Sequence, residues 1–365
     1  MIIITTKEIT IRKFLLPIII SLIKNNINII IITKNAKLLE MCFTNGQKNY
    51  LKFINFNFPT SIIEVINPFN FIKIIFKLRK LIKDSQNKNI YLHTPMASHF
   101  VRLSTFFLRT NIIYHVHGFR FHEFGNKIKN LFFFTIEFIL KYKVNFYVVL
   151  NQYDEIVVKK YFKTECIRIN GIGIDSNYIN KYSYKNNYNN KKTFKIIVIG
   201  AYKIEKGYLD IINLLKNNTN KIFIDCFGYG NPNKFKDIVK KNNIQNINFN
   251  DFDESIIKKM CNYHCLIIPS KREGLSVTLM EALTLGIPII TTNARGCKDL
   301  IIDNFNGTLY DLKNPNELIK KVDILINNYE DFYIKAKKYK IECYNKYDIE
   351  NIIPVLTQYL IQKVQ

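Results

Sequence analysis

Short apolar runs alternate with longer amphipathic stretches along most of this 365-residue chain. Such alternation is typical of strands that are buried on both faces of a parallel sheet and connected by helices. The pattern occurs twice, and a polar segment of low complexity separates the two series. We therefore predict an α/β protein with two Rossmann-like domains and a helical tail at the C-terminus.

The two series predict ten strands, which are Met1–Thr5, Asn28–Thr33, Asn89–His93, Ile112–His115, Asn145–Leu150, Phe194–Ile199, Ile222–Phe227, Ile247–Asn250, Cys265–Pro269 and Ile289–Thr292. The helices between them are Ile11–Lys24, Pro68–Lys83, Met96–Leu108, Lys127–Lys143, Gly207–Lys216, Lys234–Lys241, Glu254–Cys261 and Ser276–Leu285. Gly286 and Pro288 end the last of these helices, because glycine suits the left-handed cap and proline cannot continue a helix.

Composition gives the expected domain boundaries. We predict an N-terminal domain over residues 1–180, a polar linker over 181–192, and a second domain over 193–345. Residues 346–365 form a last helix that can pack back on the N-terminal domain. Because ligands of two adjoining sheet domains usually bind between them, we expect a substrate cleft there.

The charge is strongly positive, since 53 Lys and Arg stand against 29 Asp and Glu. A charge of +24 favours anionic partners such as a membrane surface or a phosphorylated substrate. The basic residues are scattered and no zinc finger or RNA-binding motif is present, so we do not expect nucleic acid as a partner. No apolar run approaches the ~20 residues of a membrane span. We expect a cytoplasmic protein that can dock on the inner face of the plasma membrane.

The segment PSKREGLSVTLMEALTLGIPIITT, residues 269–292, joins a strand end, a glycine turn and a helix. Glu273 and Glu281 stand eight residues apart in it. Gly274 lets the backbone approach a ligand closely. The helix that begins near Ser276 offers free amides and a positive dipole end to a diphosphate. Glu281 can present its carboxylate to a pair of sugar hydroxyls.

A second segment, IIVIGAYKIEKG at residues 196–207, has a strand, a glycine turn and a basic residue before a helix. Both segments resemble the family-4 retaining glycosyltransferases of GT-B fold. Residues 269–292 match their Glu-x7-Glu signature, and 196–207 match V-G-R-L-x-x-x-K-G, with Ala201 where the arginine usually stands. The resemblance implies a donor site made by Gly200, Lys203, Lys206, Arg272, Glu273, Gly274, Leu275, Ser276 and Glu281.

The same resemblance implies individual roles. Glu273 would contact the donor sugar hydroxyls, and Glu281 the ribose. The backbone around Leu275 and Ser276 would hold the diphosphate, and Lys206 would neutralise the charge that develops on it. Either Lys203 or Arg272 would supply the charge of the missing arginine, or the phosphate would be held less tightly.

Three histidines lie at strand ends in the N-terminal half: His93 in YLHTP, and His115 and His117 in YHVHGFRF. HGFRF resembles the H-G-F-x-F motif of a capsular and exopolysaccharide subset of the family, and IRINGIGID at 167–175 resembles that subset's G-I-G-x-D. By this resemblance His117 faces the sugar, and His93 and His115 are further acceptor-side candidates. Ordinary core or strand-end histidines would explain these two equally well. The catalytic candidates are His117, Glu273 and Lys206.

These resemblances imply a retaining hexosyltransferase in surface polysaccharide synthesis. It would move a hexose or N-acetylhexosamine from a nucleotide-diphosphate sugar, expected to be UDP-linked, to a glycan or polyprenyl-linked acceptor. A double displacement needs two opposed carboxylates about 5 Å apart, and the N-terminal half offers no obvious nucleophile. We therefore expect attack on the face that the diphosphate leaves. No metal and no cofactor is expected, because lysine and helix amides would stabilise the charge.

The stretch FIKIIFKLRKLIK, Phe71–Lys83, has an apolar stripe with basic residues between its members. Such a helix can lie on an anionic membrane or pack its apolar face on its own sheet. Three other functions stay open. A sugar-nucleotide epimerase would turn over donor without an acceptor, a non-catalytic partner subunit would show no turnover, and a nucleic-acid-binding protein would bind DNA or RNA with steep salt dependence.

Overall fold

The computed structural model describes residues 1–59, 64, 67–185, 193–217 and 222–364. These form two compact units: the first comprises Met1–Ile172 and Ile349–Gln365, and the second comprises Gly173–Asp348. Each unit contains its own parallel sheet, so the predicted α/β class with two Rossmann-like domains is confirmed. Residues 186–192 of the predicted linker lie outside the described residues.

The first unit contains a seven-stranded sheet in the order β3-β2-β1-β4-β5-β6-β7, with every pair parallel. Its strands are β1 Ile2–Lys7, β2 Ile29–Lys34, β3 Leu51–Asn55, β4 Asn89–Leu92, β5 Asn111–Val116, β6 Phe146–Val149 and β7 Cys166–Arg168. The strand order reverses between β1 and β4. The carboxyl edge at such a reversal is where ligands of α/β sheets bind.

The second unit contains a six-stranded parallel sheet in the order β10-β9-β8-β11-β12-β13. Its strands are β8 Phe194–Ile199, β9 Ile222–Gly228, β10 Ile247–Asp251, β11 Cys265–Ile268, β12 Ile289–Thr292 and β13 Thr308–Tyr310. Here the order reverses between β8 and β11, so the loops after these two strands leave the same edge of the sheet at neighbouring positions. Three strands, β3, β7 and β13, were absent from the sequence prediction.

The α-helices of the described residues are α1 Glu8–Thr10, α2 Leu16–Lys24, α3 Asn45–Lys48, α4 Pro68–Asp84, α5 Pro95–Ser104, α6 Lys127–Leu140, α7 Gln152–Val157, α8 Ser176–Asn180, α9 Tyr208–Asn217, α10 Asn233–Lys241, α11 Ile256–Met260, α12 Val277–Leu285, α13 Glu317–Asn327, α14 Tyr329–Tyr347 and α15 Ile349–Val364. Tighter 3₁₀ turns cover Ala36–Cys42, Lys141–Lys143 and Ile204–Lys206, and wider π turns cover Ile11–Leu15 and Val158–Phe162.

The C-terminal helix α15 belongs to the first unit and packs against α2. Thr357 donates a hydrogen bond from its Oγ1 to Oγ of Ser21 at 2.8 Å. Lys363 forms an ion pair with Glu165 at 2.7 Å. Within the residues that the structure describes, no helix is both long and apolar enough to cross a membrane.

The chain enters the second unit earlier than the sequence boundary at residue 180. Helix α8 already belongs to this unit, and Tyr184 in the segment read as linker is buried, with 2% of its surface exposed. The Tyr184 hydroxyl shares a hydrogen bond of 2.5 Å with that of Tyr329. Residues 181–185 thus pack on the second unit.

Candidate functional site

Two loops meet at the reversal point of the second sheet, residues 200–207 after β8 and residues 269–276 after β11. Gly207 has a φ of +75°, and a Cβ built on it would lie 1.9 Å from the carbonyl oxygen of Pro269. The N–H of Lys271 donates to the carbonyl of Glu205 at 2.8 Å. The two loops therefore touch through their backbones, and a side chain at position 207 would push them apart.

Lys206 and Glu273, one on each loop, form an ion pair. Nζ of Lys206 lies 2.5 Å from Oε1 of Glu273. The lysine side chain is 29% exposed and the glutamate 18%, so both carry charge at a surface that a ligand can reach. The structure thus brings together two residues that are 67 positions apart in sequence and that the motifs selected independently.

Helix α12 begins directly after the second loop, and Ser276 is its N-cap. The amide of Ser276 is not free, because it donates to the carbonyl of Gly296 at 3.2 Å. Among the described residues, the N–H groups of Leu275, Val277 and Thr278 have no protein acceptor. The amides open to a ligand at this helix N-terminus are therefore those of Leu275, Val277 and Thr278, and not that of Ser276.

A third loop, residues 293–300 after β12, supports the second and was missed from the sequence. The N–H of Glu273 donates to the carbonyl of Arg295 at 3.3 Å. Gly296 has a φ of +73°, and a Cβ there would lie 2.7 Å from the carbonyl oxygens of Glu273 and Gly274. The signal in the sequence was the glycine in ARGCKD, which follows a predicted strand just as Gly200 and Gly274 do.

Lys203 and Arg272, the two neighbours considered for the missing positive charge, lie on the first and second loop respectively. Lys203 is exposed at the start of the 3₁₀ turn Ile204–Lys206, and Arg272 is half-buried. Gly200 accepts a hydrogen bond of 2.5 Å on its carbonyl from the Tyr208 hydroxyl. All the donor-site residues predicted from the sequence thus fall on the two loops or on helix α12.

Glu281 lies in the second turn of helix α12, where burial raises the pKa of its carboxyl from 4.5 to about 7. A buried carboxylate is costly unless a partner compensates it. Glu281 is half-buried, so a ligand can still reach its carboxylate and supply that partner.

We expect Glu281→Gln to stabilise the second unit at pH 8 by about 2 kcal/mol and to have no effect near pH 4.5. A raised carboxyl pKa means that the folded state binds the proton more tightly than the unfolded state. The resulting stability is complete below pH 4.5 and is lost as the pH rises through 7. Glutamine stays neutral and avoids that loss. Thermal unfolding at both pH values measures the difference, and equal shifts at pH 4.5 and 8 would contradict it.

The first unit carries a histidine cluster, defined as His93, His115 and His117. Leu92 of β4 pairs with Tyr114 of β5, so His93 and His115 follow side by side. His117 lies two residues further along and projects from the same face of the sheet. Nδ1 of His93 lies 3.0 Å from Nε2 of His117, and the rings of His115 and His117 stack with centroids 4.4 Å apart.

All three imidazoles are uncharged at neutral pH. Burial lowers the pKa of His117 to about 4. Burial, and next the charge of the neighbouring His117, hold the pKa of both His93 and His115 well below the ordinary value. His93 and His115 are fully buried, whereas His117 is partly exposed. His117 can thus reach a ligand as a neutral hydrogen-bonding group.

A residue of helix α7 holds the loop that carries His117 by a hydrogen bond. Gly118 has a φ of +104°, which allows the chain to turn directly after the histidine. The N–H of Phe119 donates to a carboxylate oxygen of Asp154 at 3.3 Å. Phe119 and Phe121 are buried and stack with ring centroids 5.0 Å apart. The HGFRF motif is therefore one turn in which two phenylalanines anchor the histidine.

Comparison with known proteins agrees with the motifs. Residues 181–342 match the family model described as "Glycosyl transferases group 1". An uncharacterised glycosyltransferase of Methanocaldococcus jannaschii, MJ1178, is 30% identical over 219 residues, which are 56% of this chain and 55% of that protein. This chain thus matches about half the length of that relative. The O-antigen biosynthesis glycosyltransferase WbnH of Escherichia coli is 24% identical over 76% of this chain and 77% of its own.

Solved structures show the same fold over the whole chain. The Anabaena protein HepE (Alr3699), crystallised with UDP and glucose, has a TM-score of 0.75 and 14% identity, and the match covers 99% of this chain and 98% of HepE. The family match falls on the unit that carries Lys206, Glu273 and Glu281. The second unit is therefore similar to the glycosyl transferases group 1 family, and the chain as a whole has the GT-B fold.

Proposed function

We propose that this protein is a retaining glycosyltransferase that moves a hexose or N-acetylhexosamine from a UDP-linked donor to a lipid-linked glycan acceptor at the inner face of the plasma membrane. One observation carries the proposal. At the reversal point of the second sheet, the Lys206–Glu273 ion pair stands beside the free amides of helix α12. An anion and a sugar are the ligands that this combination of charge and donors suits.

Donor binding would exchange the partners of the ion pair. Lys206 turns to the diphosphate, which also accepts from the amides of Val277 and Thr278, and Glu273 accepts from the sugar hydroxyls. Glu281 accepts hydrogen bonds from the ribose hydroxyls, which compensate its half-buried carboxylate. Lysine and amides then stabilise the departing diphosphate, so the donor chemistry is proposed to need no metal.

The transfer step is proposed to occur on one face of the sugar. The bond between C1 and the phosphate oxygen breaks, and the acceptor hydroxyl oxygen bonds to C1 on the same side. The acceptor proton passes to the leaving phosphate oxygen. His117 is neutral and orients the sugar by a hydrogen bond, while positioning and charge stabilisation supply the rate.

Isothermal titration with UDP, GDP and nucleotide sugars tests the donor site. We expect UDP to bind and Glu281→Ala to weaken it by about tenfold to a hundredfold, because hydrogen bonds to a charged group contribute about 1.5–3 kcal/mol. Glu254→Ala, which removes an exposed glutamate of the same unit, is the matched control and should leave affinity unchanged. If no nucleotide binds, the proposal is contradicted and a non-catalytic subunit is favoured. Donor turnover without acceptor would indicate an epimerase.

A docking face in the first unit supports the lipid-linked acceptor. Only Leu78 and Ile82 of the apolar stripe of α4 are buried, so the rest of the protein does not cover the whole stripe. Three phenylalanines beside it, Phe69, Phe76 and Phe107, are 82%, 65% and 84% exposed. The docking face also includes a groove of about 410 Å³ between α4, α5 and α6, lined by Phe71, Phe100, Leu103, Phe132 and Phe133.

Basic residues surround this docking face, among them Lys73, Lys77 and Lys80 on α4. Exposed aromatic groups with lysines between them match an anionic lipid surface, where apolar burial and charge attraction add together. A soluble partner protein would not require this excess of one sign of charge. We therefore propose that the docking face rests on anionic lipid.

We expect the protein to co-sediment with phosphatidylglycerol vesicles and poorly with phosphatidylcholine vesicles, with binding reduced in 0.5 M salt. Replacing Phe69, Phe76 and Phe107 together by serine should lower the fraction bound at least tenfold, because each ring loses its place in the lipid. Ile341→Ser, at a residue 71% exposed in the second unit, is the matched control. Equal binding by the triple variant and the control would contradict the proposed face.

A further inference from the structure

The histidine cluster has more nitrogen atoms than the protein has partners for. Tyr91 hydrogen-bonds Nδ1 of His115 at 2.7 Å, and the 3.0 Å contact to His117 uses Nδ1 of His93. Among the described residues, Nε2 of His93 and Nε2 of His115 are buried without any hydrogen-bond partner. A buried nitrogen without a partner costs free energy, so two of them in adjacent rings call for a ligand.

One nitrogen from each of the three rings can be chosen so that all three atoms lie within 4.8 Å of one another. Tetrahedral ligands at 2.0–2.1 Å from a metal stand about 3.4 Å apart. Nδ1 of His93 and Nε2 of His117 already lie 3.0 Å apart, so small movements of the rings bring one nitrogen of each to this spacing. Because the rings come from the ends of two paired strands, their backbones hold them at this spacing without the ligand.

We propose that His93, His115 and His117 form a binding site for one divalent transition metal ion such as Zn²⁺. Imidazole nitrogen is the ligand that suits Zn²⁺, Cu²⁺, Ni²⁺ and Fe²⁺, and no carboxylate that would favour Mg²⁺ belongs to the cluster. Three protein ligands leave a fourth position, which the partial exposure of His117 opens to water or to an oxygen of a ligand.

Tyr91 acts as the positioning residue of this site. Its side chain is fully buried next to His115, and with its hydroxyl accepting a hydrogen bond from Nδ1–H of His115, the lone pair of that ring is on Nε2. Metal-bound histidines commonly depend on such a hydrogen bond. The metal site shares His117 with the proposed transfer step, whereas Lys206, Glu273 and Glu281 of the proposed donor site lie in the second unit. Metal binding and nucleotide binding are therefore measured separately, and the metal proposal replaces the expectation of a metal-free chain.

The test is metal binding by the full chain, freed of metal with a chelator and dialysed. We expect one equivalent of Zn²⁺ to bind in competition with a chromophoric chelator, and Co²⁺ to give the visible absorption of a tetrahedral site. His115→Gln and His117→Ala should each abolish both signals. His99→Gln and His264→Gln, which change histidines outside the cluster, should retain them.

Tyr91→Phe gives the sharper result, because it keeps the three ligands and removes one hydrogen bond. We expect it to bind one equivalent of Zn²⁺ with an affinity about 10–100-fold lower. If His115→Gln fails to fold, His117→Ala, whose site is partly exposed, and Tyr91→Phe still decide the matter. Absence of stoichiometric Zn²⁺ binding by the wild-type chain would overturn the proposal, as would binding by His117→Ala at the wild-type affinity. The His93–His117 contact would then be a hydrogen bond between neutral rings.

Discussion

Lys206→Ala is expected to lower the turnover number by about 10²–10³-fold while the second unit stays folded. The departing diphosphate gains charge in the transition state, and the ammonium of Lys206 is the positive group that the loop holds for it. Removing one prearranged donor to a developing anion costs about that factor in other enzymes. Donor affinity should change less, since the amides of Val277 and Thr278 remain. Release of UDP from the donor that binds in titration is the measurement.

Removing Lys206 also leaves Glu273 without its ion-pair partner, and an unpaired carboxylate could repel the donor. The double variant Lys206→Ala/Glu273→Gln separates the two effects, because it removes the lysine without leaving that charge. If Lys206 stabilises the diphosphate, the double variant is slower than the single variant Glu273→Gln. Lys216→Ala, an exposed lysine at the end of α9, is the matched control. Turnover by Lys206→Ala equal to that of this control would remove Lys206 from the mechanism.

The sequence predicted the central strands well and missed three of the four edge strands. All ten predicted strands exist: nine are interior strands, which are found by their apolar runs, and the tenth, β10, lies at an edge. The three missed strands, β3, β7 and β13, all lie at sheet edges. Residues of β3 are half exposed, and β7 and β13 have three residues each. An edge strand lacks the apolar run by which a buried strand is found.

Motif spacing could select Lys206, Glu273 and Glu281, because each lies within a short segment whose glycines and helix start are visible in the sequence. It could not show that Lys206 contacts Glu273, since that contact depends on how two distant loops approach at the sheet edge. The support of the Glu273 backbone by Arg295 was hidden for the same reason.

The histidine cluster is a related case. Its three members were visible at strand ends, but their proximity depends on the register of β4 against β5, and this register fixes the side-by-side placement of His93 and His115. A shift of one residue would send one of them to the opposite face of the sheet. Side chains that gain a function only from strand pairing are therefore beyond single-sequence reasoning.

The contact of the two donor loops predicts a large loss of stability for Gly207→Ala. The left-handed φ of +75° costs an alanine about 1 kcal/mol, and its Cβ would meet the carbonyl oxygen of Pro269 at 1.9 Å. That oxygen belongs to backbone and cannot rotate away, so the loops must separate. We expect a loss of about 3–5 kcal/mol, at the upper end of single substitutions. UDP binding should be lost with it, because Lys206 and Glu273 then part.

Gly200→Ala is the matched control for stability, because it lies on the same loop and its added Cβ would meet only the Lys206 side chain at an ordinary 3.6 Å. Hydrogen exchange read separately on β8 and β11 and on β1 and β4 avoids treating two units as one transition. Faster exchange in the second unit alone, and only for Gly207→Ala, is the expected pattern. Protection of β8 and β11 equal in the two variants would show that the loops have room to move. The donor site would then not depend on their close backbone contact.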